Sequence, residues 1–156
     1  MAISTDKKRR TFLGVLAGTI TALAAPQRSA QGAEMEDIDQ PESRDDAGFI
    51  SRAFVMQQRA LESGDQGYGA VVVRDGTIVG QSASHVVVHR DPTAHAEMEA
   101  IRDAARRLKI RDLSNCTLYS SSRACPMCEA AAYWAGIERM VYGKAARDGG
   151  KPGLCG

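Results

Sequence analysis

Residues 91–97 read Asp-Pro-Thr-Ala-His-Ala-Glu and residues 125–128 read Cys-Pro-Met-Cys. These two stretches are the strongest indication of the fold and of the functional site. Each one precedes apolar residues at helical spacing, which predicts that both stand at the starts of helices. Pro126 favours this placement because the N–H group that proline lacks would have no partner in a first helical turn.

His95, Cys125 and Cys128 form a candidate zinc site. One imidazole and two thiolates suit the ligand preference of Zn²⁺, and three protein ligands leave the fourth tetrahedral position open to water. A closed structural site would need a fourth ligand, and the remaining histidines and cysteines have no tight spacing to either stretch. Glu97 is predicted to face the metal and to transfer protons without ligating it. A redox-active pair of Cys125 and Cys128 is the alternative interpretation.

The elements around these stretches predict an α/β fold. Two β-rich runs joined at Asp75-Gly76 indicate a hairpin. The order α-β-β-α-β-α-β predicts a mixed sheet with helices packed over its faces. The other predicted elements are a helix from Ala47 to Glu62, a helix that opens at Pro92 and Thr93, a strand over Cys116 to Ser121, a helix from Pro126 to Ala135 and a strand over Met140 to Tyr142.

The pattern H-x-E at 95–97 followed by C-P-x-C at 125–128 resembles the signature of the cytidine deaminase superfamily. Residues 91–97, with Tyr133-Trp134-Ala135 after the cysteines, are most similar to bacterial guanine deaminases and tRNA adenosine deaminases. The resemblance covers about residues 47–143 and implies a three-layer cytidine deaminase-like fold that binds Zn²⁺. It implies hydrolytic deamination of a nucleobase or nucleoside, with guanine and adenine favoured over cytosine. In that reaction zinc-bound hydroxide attacks the ring carbon and Glu97 shuttles the protons. The resemblance also implies a homodimer, which the spacing of residues does not show.

Three departures from the family's pattern concern the substrate. Ser84 stands where the family usually has an asparagine that hydrogen-bonds the substrate, and a hydroxyl replaces a two-sided amide there. Ser84, the adjacent His85 and Ala96 are the candidate substrate-binding residues. Arg123-Ala124 replaces a common Glu-Pro pair, and the chain stops soon after its last predicted strand, so we expect a C-terminally shortened fold. These departures favour the alternative function, a catalytically degenerate deaminase-fold protein with structural zinc that binds a ligand or partner.

The distribution of charge argues against a nucleic-acid partner. The formal net charge is +1, but from Glu34 onward 15 Lys and Arg face 18 Asp and Glu. Nucleic-acid-binding domains normally carry a basic surface. Five basic residues are interpreted as a solvated helix face, with a site for a polyanion or a substrate phosphate as the alternative: Arg102, Arg106, Arg107, Lys109 and Arg111.

The first thirty residues have the pattern of an export signal. Four basic residues at 7–10 precede an apolar run from Phe12 to Ala25, which is too short for a stable membrane span. Arg9-Arg10 resembles a twin-arginine signal, so we expect export to the periplasm, with a cytoplasmic protein as the alternative. Residues 31–46 are acidic and aperiodic, which predicts a disordered linker. The deaminase domain is then predicted over residues 47–143 and a short Gly-rich tail over 144–156.

Overall fold

Residues 35–154 are described by the computed structural model, and they contain three helices and five strands. The predicted signal over residues 1–30 lies outside the described residues. No helix within residues 35–154 has the length and apolar character that crossing a membrane requires. The elements are α1 (Asp46–Glu62), β1 (Gly69–Arg74), β2 (Thr77–Ala83), α2 (Ala96–Leu108), β3 (Cys116–Ser120), α3 (Pro126–Ala135), β4 (Arg139–Tyr142) and β5 (Arg147–Gly150).

The five strands form one mixed sheet in the order β2-β1-β3-β4-β5. Strand β1 is antiparallel to β2 and to β3, β3 is parallel to β4, and β5 is antiparallel to β4. The predicted hairpin and the predicted mixed sheet are therefore confirmed. Strand β5 lies where a Gly-rich tail was predicted. The sequence did not indicate this strand because its four residues are all exposed and show no apolar alternation.

Helices cover both faces of the sheet, which confirms the three-layer fold. Alternate residues of β1 point to opposite faces, as a strand requires. Val71 and Val73 pack in the cluster that includes the apolar side of α1, whereas Ala70 and Val72 pack in the cluster of α2 and α3. Helix α1 starts at Asp46, and the Asp45 side chain caps it by accepting a hydrogen bond from the N–H of Gly48 at 2.8 Å.

The acidic segment before α1 differs from the predicted disordered linker. Residues 35–45 have no helix or strand, but Ile38 packs against the cluster of α1. The Gln40 side-chain amide donates to the carbonyl of Ile78 at 3.0 Å and accepts from its N–H at 2.8 Å. Gln40 thereby pairs with the outer edge of β2 as a neighbouring strand would, a contact that charge and periodicity do not reveal.

Helix α2 begins later than predicted, at Ala96 instead of Pro92. The Asp91 carboxylate accepts the N–H and the hydroxyl of Thr93, each at 2.7 Å, and this turn uses the residues that were expected to open the helix. His95 consequently occupies the N-cap of α2, and Cys125 occupies the N-cap of α3.

Candidate metal centre

The antiparallel pairing of β1 with β3 determines where the site forms. Ala70 lies opposite Ser120, so the residues that precede β1 and the residues that follow β3 meet at the same end of these two strands. Helix α3 begins shortly after β3, and its first turn lies beside the first turn of α2. The two stretches that stand 30 residues apart in the sequence are thus brought together.

His95, Cys125 and Cys128 lie at the mutual distances that a zinc ion needs. The Nδ1 atom of His95 is 3.7 Å from the Sγ of Cys125 and 3.6 Å from the Sγ of Cys128, and the two sulfurs are 3.6 Å apart. Ligands at ordinary Zn–N and Zn–S bond lengths around a tetrahedral ion are separated by about 3.6 Å for N to S and about 3.8 Å for S to S. The three residues fit zinc in their geometry as well as in their chemistry. Among the described residues they are the one group of this kind that could hold a metal ion.

Glu97 lies beside this group on the second residue of α2. Its carboxylate oxygen is 3.7 Å from the Sγ of Cys128, and the residue is only 5% exposed. Burial raises the pKa of Glu97 above its ordinary value. A buried carboxyl next to three ligand atoms is placed to exchange protons with whatever occupies the fourth position of the metal.

Cys128 is buried as well, and burial, followed by the charge of Glu97, raises the pKa of its thiol. Zinc binds cysteine as the thiolate, so the metal must displace a proton here. The position of His95 Nδ1 close to both sulfurs favours a metal site over a redox pair, which would need no third ligand.

A cavity of about 200 Å³ opens at the candidate centre. Three of the metal-centre residues line it, together with Arg123, which the sequence marked as a departure from the family's pattern, and three residues that no sequence pattern pointed to: Gln66, Tyr68 and Ser122. Gln66 and Tyr68 precede β1, and Ser122 and Arg123 follow β3. No local signal marks Gln66, Tyr68 and Ser122, because their place at the cavity depends on the pairing of β1 with β3.

The predicted substrate-binding residues do not line this cavity. Ser84 is fully buried, and its hydroxyl donates a hydrogen bond to the carboxylate of Asp65 at 2.8 Å. His85 lines a different cavity of about 450 Å³ and stacks on His89, with ring centroids 4.7 Å apart. Ala96 is fully buried between His95 and Glu97.

Three of the five basic residues on and after α2 are paired with acidic residues of the same helix. The Arg102 side chain contacts Glu99, and Arg106 and Arg107 both contact Asp103. These ion pairs support the interpretation of a solvated helix face for α2 itself, whereas Lys109 and Arg111 after the helix take part in no ion pair among the described residues.

A three-layer α/β domain with a His-Cys-Cys metal site and an adjacent carboxylate defines a class of zinc-site enzymes. The cytidine and deoxycytidylate deaminase zinc-binding region matches residues 43–144, which is more than half of the chain. This chain belongs to that deaminase family, and zinc is the metal that the family and the cluster of ligands indicate.

Individual relatives are deaminases with several substrates. A guanine deaminase of Bacillus subtilis (strain 168) is 39% identical over 107 residues, 68% of this chain and 69% of that protein. A tRNA-specific adenosine deaminase of Aquifex aeolicus (strain VF5) is 38% identical over 94 residues, 60% of this chain and 62% of that protein. The X-ray structure of the Bacillus subtilis guanine deaminase superposes with a TM-score of 0.59, covering 63% of this chain and 66% of that chain. The match leaves about a third of each relative uncovered.

Proposed function

We propose that this protein is a zinc-dependent hydrolytic deaminase of a nucleobase or nucleoside, with guanine or adenine as the base. The observation that carries the proposal is the buried Glu97 carboxylate, which lies 3.7 Å from the candidate ligand Cys128 and lines a cavity together with His95 and Cys125. The family and the names of the relatives support deamination. The purine preference rests on the similarity to guanine and adenosine deaminases.

Zinc, when bound by His95, Cys125 and Cys128, would lower the pKa of a water molecule and make it nucleophilic near neutral pH. Glu97 accepts the proton of this water and delivers it to a ring nitrogen of the substrate. The water oxygen forms a bond to the amino-bearing ring carbon. Glu97 then takes the remaining proton of that hydroxyl and gives it to the amino group, the carbon–amino bond breaks, and the oxygen becomes the carbonyl of the product. One water is consumed and one ammonia is released.

The cavity wall supplies groups that suit a flat, polar ring. Tyr68 is 44% exposed, and it lines the cavity at which the metal ligands lie. An exposed aromatic ring can stack on a purine. The Gln66 amide can donate to and accept from the edge of a base. Arg123 adds an always-charged donor at the same cavity.

The experiment is an ammonia-release assay on protein whose zinc content has been measured. Guanine, adenine, adenosine, cytosine and cytidine are offered in turn. Glu97→Gln should retain one zinc per chain and lose at least about 100-fold in kcat, the usual contribution of a general acid–base group. Glu99→Gln is the matched control, because it makes the same change two residues later on α2, where Glu99 pairs with Arg102. If Glu97→Gln deaminates as fast as the parent, the assigned mechanism is wrong.

A catalytically degenerate protein with structural zinc is the second candidate. It is favoured by the burial of Ser84, whose hydroxyl is held by Asp65 and does not line the cavity. This candidate predicts stoichiometric zinc together with no ammonia from any of the five compounds.

Export through the twin-arginine-type signal and assembly into a homodimer also stand as proposals. Fractionation of cells that express the full-length chain tests the first, and light scattering of the purified protein tests the second.

A further inference from the structure

Asp65 is a buried carboxylate that the deamination mechanism does not use. It is 7% exposed and accepts four hydrogen bonds, all between 2.7 and 2.9 Å. One carboxylate oxygen accepts the N–H of Gln66 and the hydroxyl of Ser84, and the other accepts the N–H groups of Val87 and Val88. Burial opposes its ionisation, but these donors outweigh burial and lower the pKa of Asp65 to about 2.

These contacts join two segments that both lead to the metal centre. The first runs from Asp65 to Tyr68 and forms one wall of the cavity. The second is the loop from Ser84 to His95. The two ends of this loop are held together by a hydrogen bond from the N–H of His85 to the carbonyl of Ala94 at 3.0 Å.

The two segments also contact each other directly, since the N–H of Ser84 donates to the carbonyl of Tyr68 at 3.0 Å. The first segment is also held by α1, where the Gln57 side chain donates a hydrogen bond to the carbonyl of Gly67 at 2.8 Å. Residues 66–68 belong to no helix or strand, so the shape of the cavity wall depends on these few backbone and side-chain hydrogen bonds.

We propose that Asp65 is the positioning residue that holds the Gln66–Tyr68 wall against the loop leading to His95, and so sets how tightly the cavity binds its base. Ser84 then acts on the substrate only through Asp65. The inference rests on the proposed deaminase function. A wall that is free to move weakens substrate binding, whereas the zinc ligands and Glu97 keep their own supports on α2 and α3.

The test compares Asp65→Asn with Asp46→Asn. An asparagine at position 65 has nearly the same size, but its NH₂ group must face N–H donors wherever it points. Asp46 is the matched control because it too is a hydrogen-bonded carboxylate: it accepts three hydrogen bonds, two from the guanidinium of Arg139 and one from the hydroxyl of Tyr119. It lies in α1, on the opposite face of the sheet from the metal ligands.

Asp65→Asn should raise KM for guanine by about tenfold or more, change kcat by less than about threefold, and keep one zinc per chain. Asp46→Asn should lower thermal stability and leave KM within twofold. Ser84→Ala removes one of the four donors and should raise KM less, which keeps the test usable if Asp65→Asn folds poorly. The inference is overturned if the two Asp→Asn variants have the same KM.

Amide hydrogen exchange of the zinc-loaded protein without substrate gives an independent readout. The amides of residues 66–68 and 84–88 should exchange at least about tenfold faster in Asp65→Asn, and at the parental rate in Asp46→Asn. An unchanged exchange rate in Asp65→Asn overturns the inference. If the parent protein releases no ammonia, the proposed function fails, and the exchange measurement still decides whether Asp65 orders the wall.

Discussion

Replacing Gly80 by alanine should loosen α2 and, with it, the candidate zinc centre. Gly80 lies in β2, directly under the backbone of α2. A Cβ atom at this position would lie 2.5 Å from the N of Ala104 and 2.7 Å from the carbonyl oxygen of Ala100. Both are backbone atoms inside a helix, so no side chain can rotate away. Ordinary contact begins at 3.4 Å, and α2 must therefore move by about 0.9 Å.

The magnitude follows from two opposing contributions. Overpacking of this kind costs about 1–3 kcal/mol, and the loss of glycine's freedom in the unfolded chain returns about 0.4–1 kcal/mol. We expect a net loss of about 1–2 kcal/mol in the free energy of unfolding, which is a fall of about 3–10 °C in Tm for a domain of this size. Metal sites tolerate about 0.2 Å in ligand positions, so the shift of α2, which carries His95 at its cap, should weaken zinc binding by about tenfold.

Thermal unfolding of the zinc-loaded protein and competition for zinc with a coloured chelator measure the two effects. Gly153→Ala is the control, because a Cβ there would meet nothing within 4 Å and the backbone is not left-handed. A Gly80→Ala protein with the parental Tm and the parental zinc affinity would refute the close packing of α2 on β2.

Three further results are expected. Cys128→Ser should abolish stoichiometric zinc binding, whereas Cys116→Ala should retain it, because Cys116 is a buried thiol outside the ligand group; metal analysis after gel filtration measures both. The pKa of Asp65 falls from 3.8 to about 2 on folding, so the ionised carboxylate stabilises the folded protein fully above about pH 4. The free energy of unfolding should fall by about 2 kcal/mol as the pH drops to about 2. Chemical denaturation should show an acid loss that is about 2 kcal/mol larger in the parent than in Asp65→Asn, because the other aspartates with a lowered pKa lose their contribution in both proteins. Changing both Arg9 and Arg10 to lysine should keep the chain in the cytoplasm if the signal is of the twin-arginine type, and unchanged export would contradict that assignment.

The sequence predicted the hairpin and the third helix well because their signals are local. Asp75-Gly76 demands a tight turn, and Pro126 and Gly136 mark the two ends of α3. The start of α2 was misplaced because the Asp91 side chain captures Thr93 in a turn, and this turn competes with the helix for the same residues. Strand β5 was missed because backbone pairing with β4 forms it without any apolar side chain.

The residues of the candidate site also fall into two groups, those that the sequence predicted and those that only the structure revealed. Residue chemistry and spacing predicted the ligand set of His95, Cys125 and Cys128 and the neighbouring Glu97, because each short motif, H-x-E and C-P-x-C, carries its own metal preference and helix-start signal. Only the tertiary structure decided which further residues line the cavity at the candidate metal centre. Pairing of β1 with β3 brings Tyr68 and Arg123 to the cavity, and the hydrogen bond to Asp65 holds Ser84 in the interior. Both contacts join residues that are far apart in the chain, and local sequence patterns carry no record of such pairs.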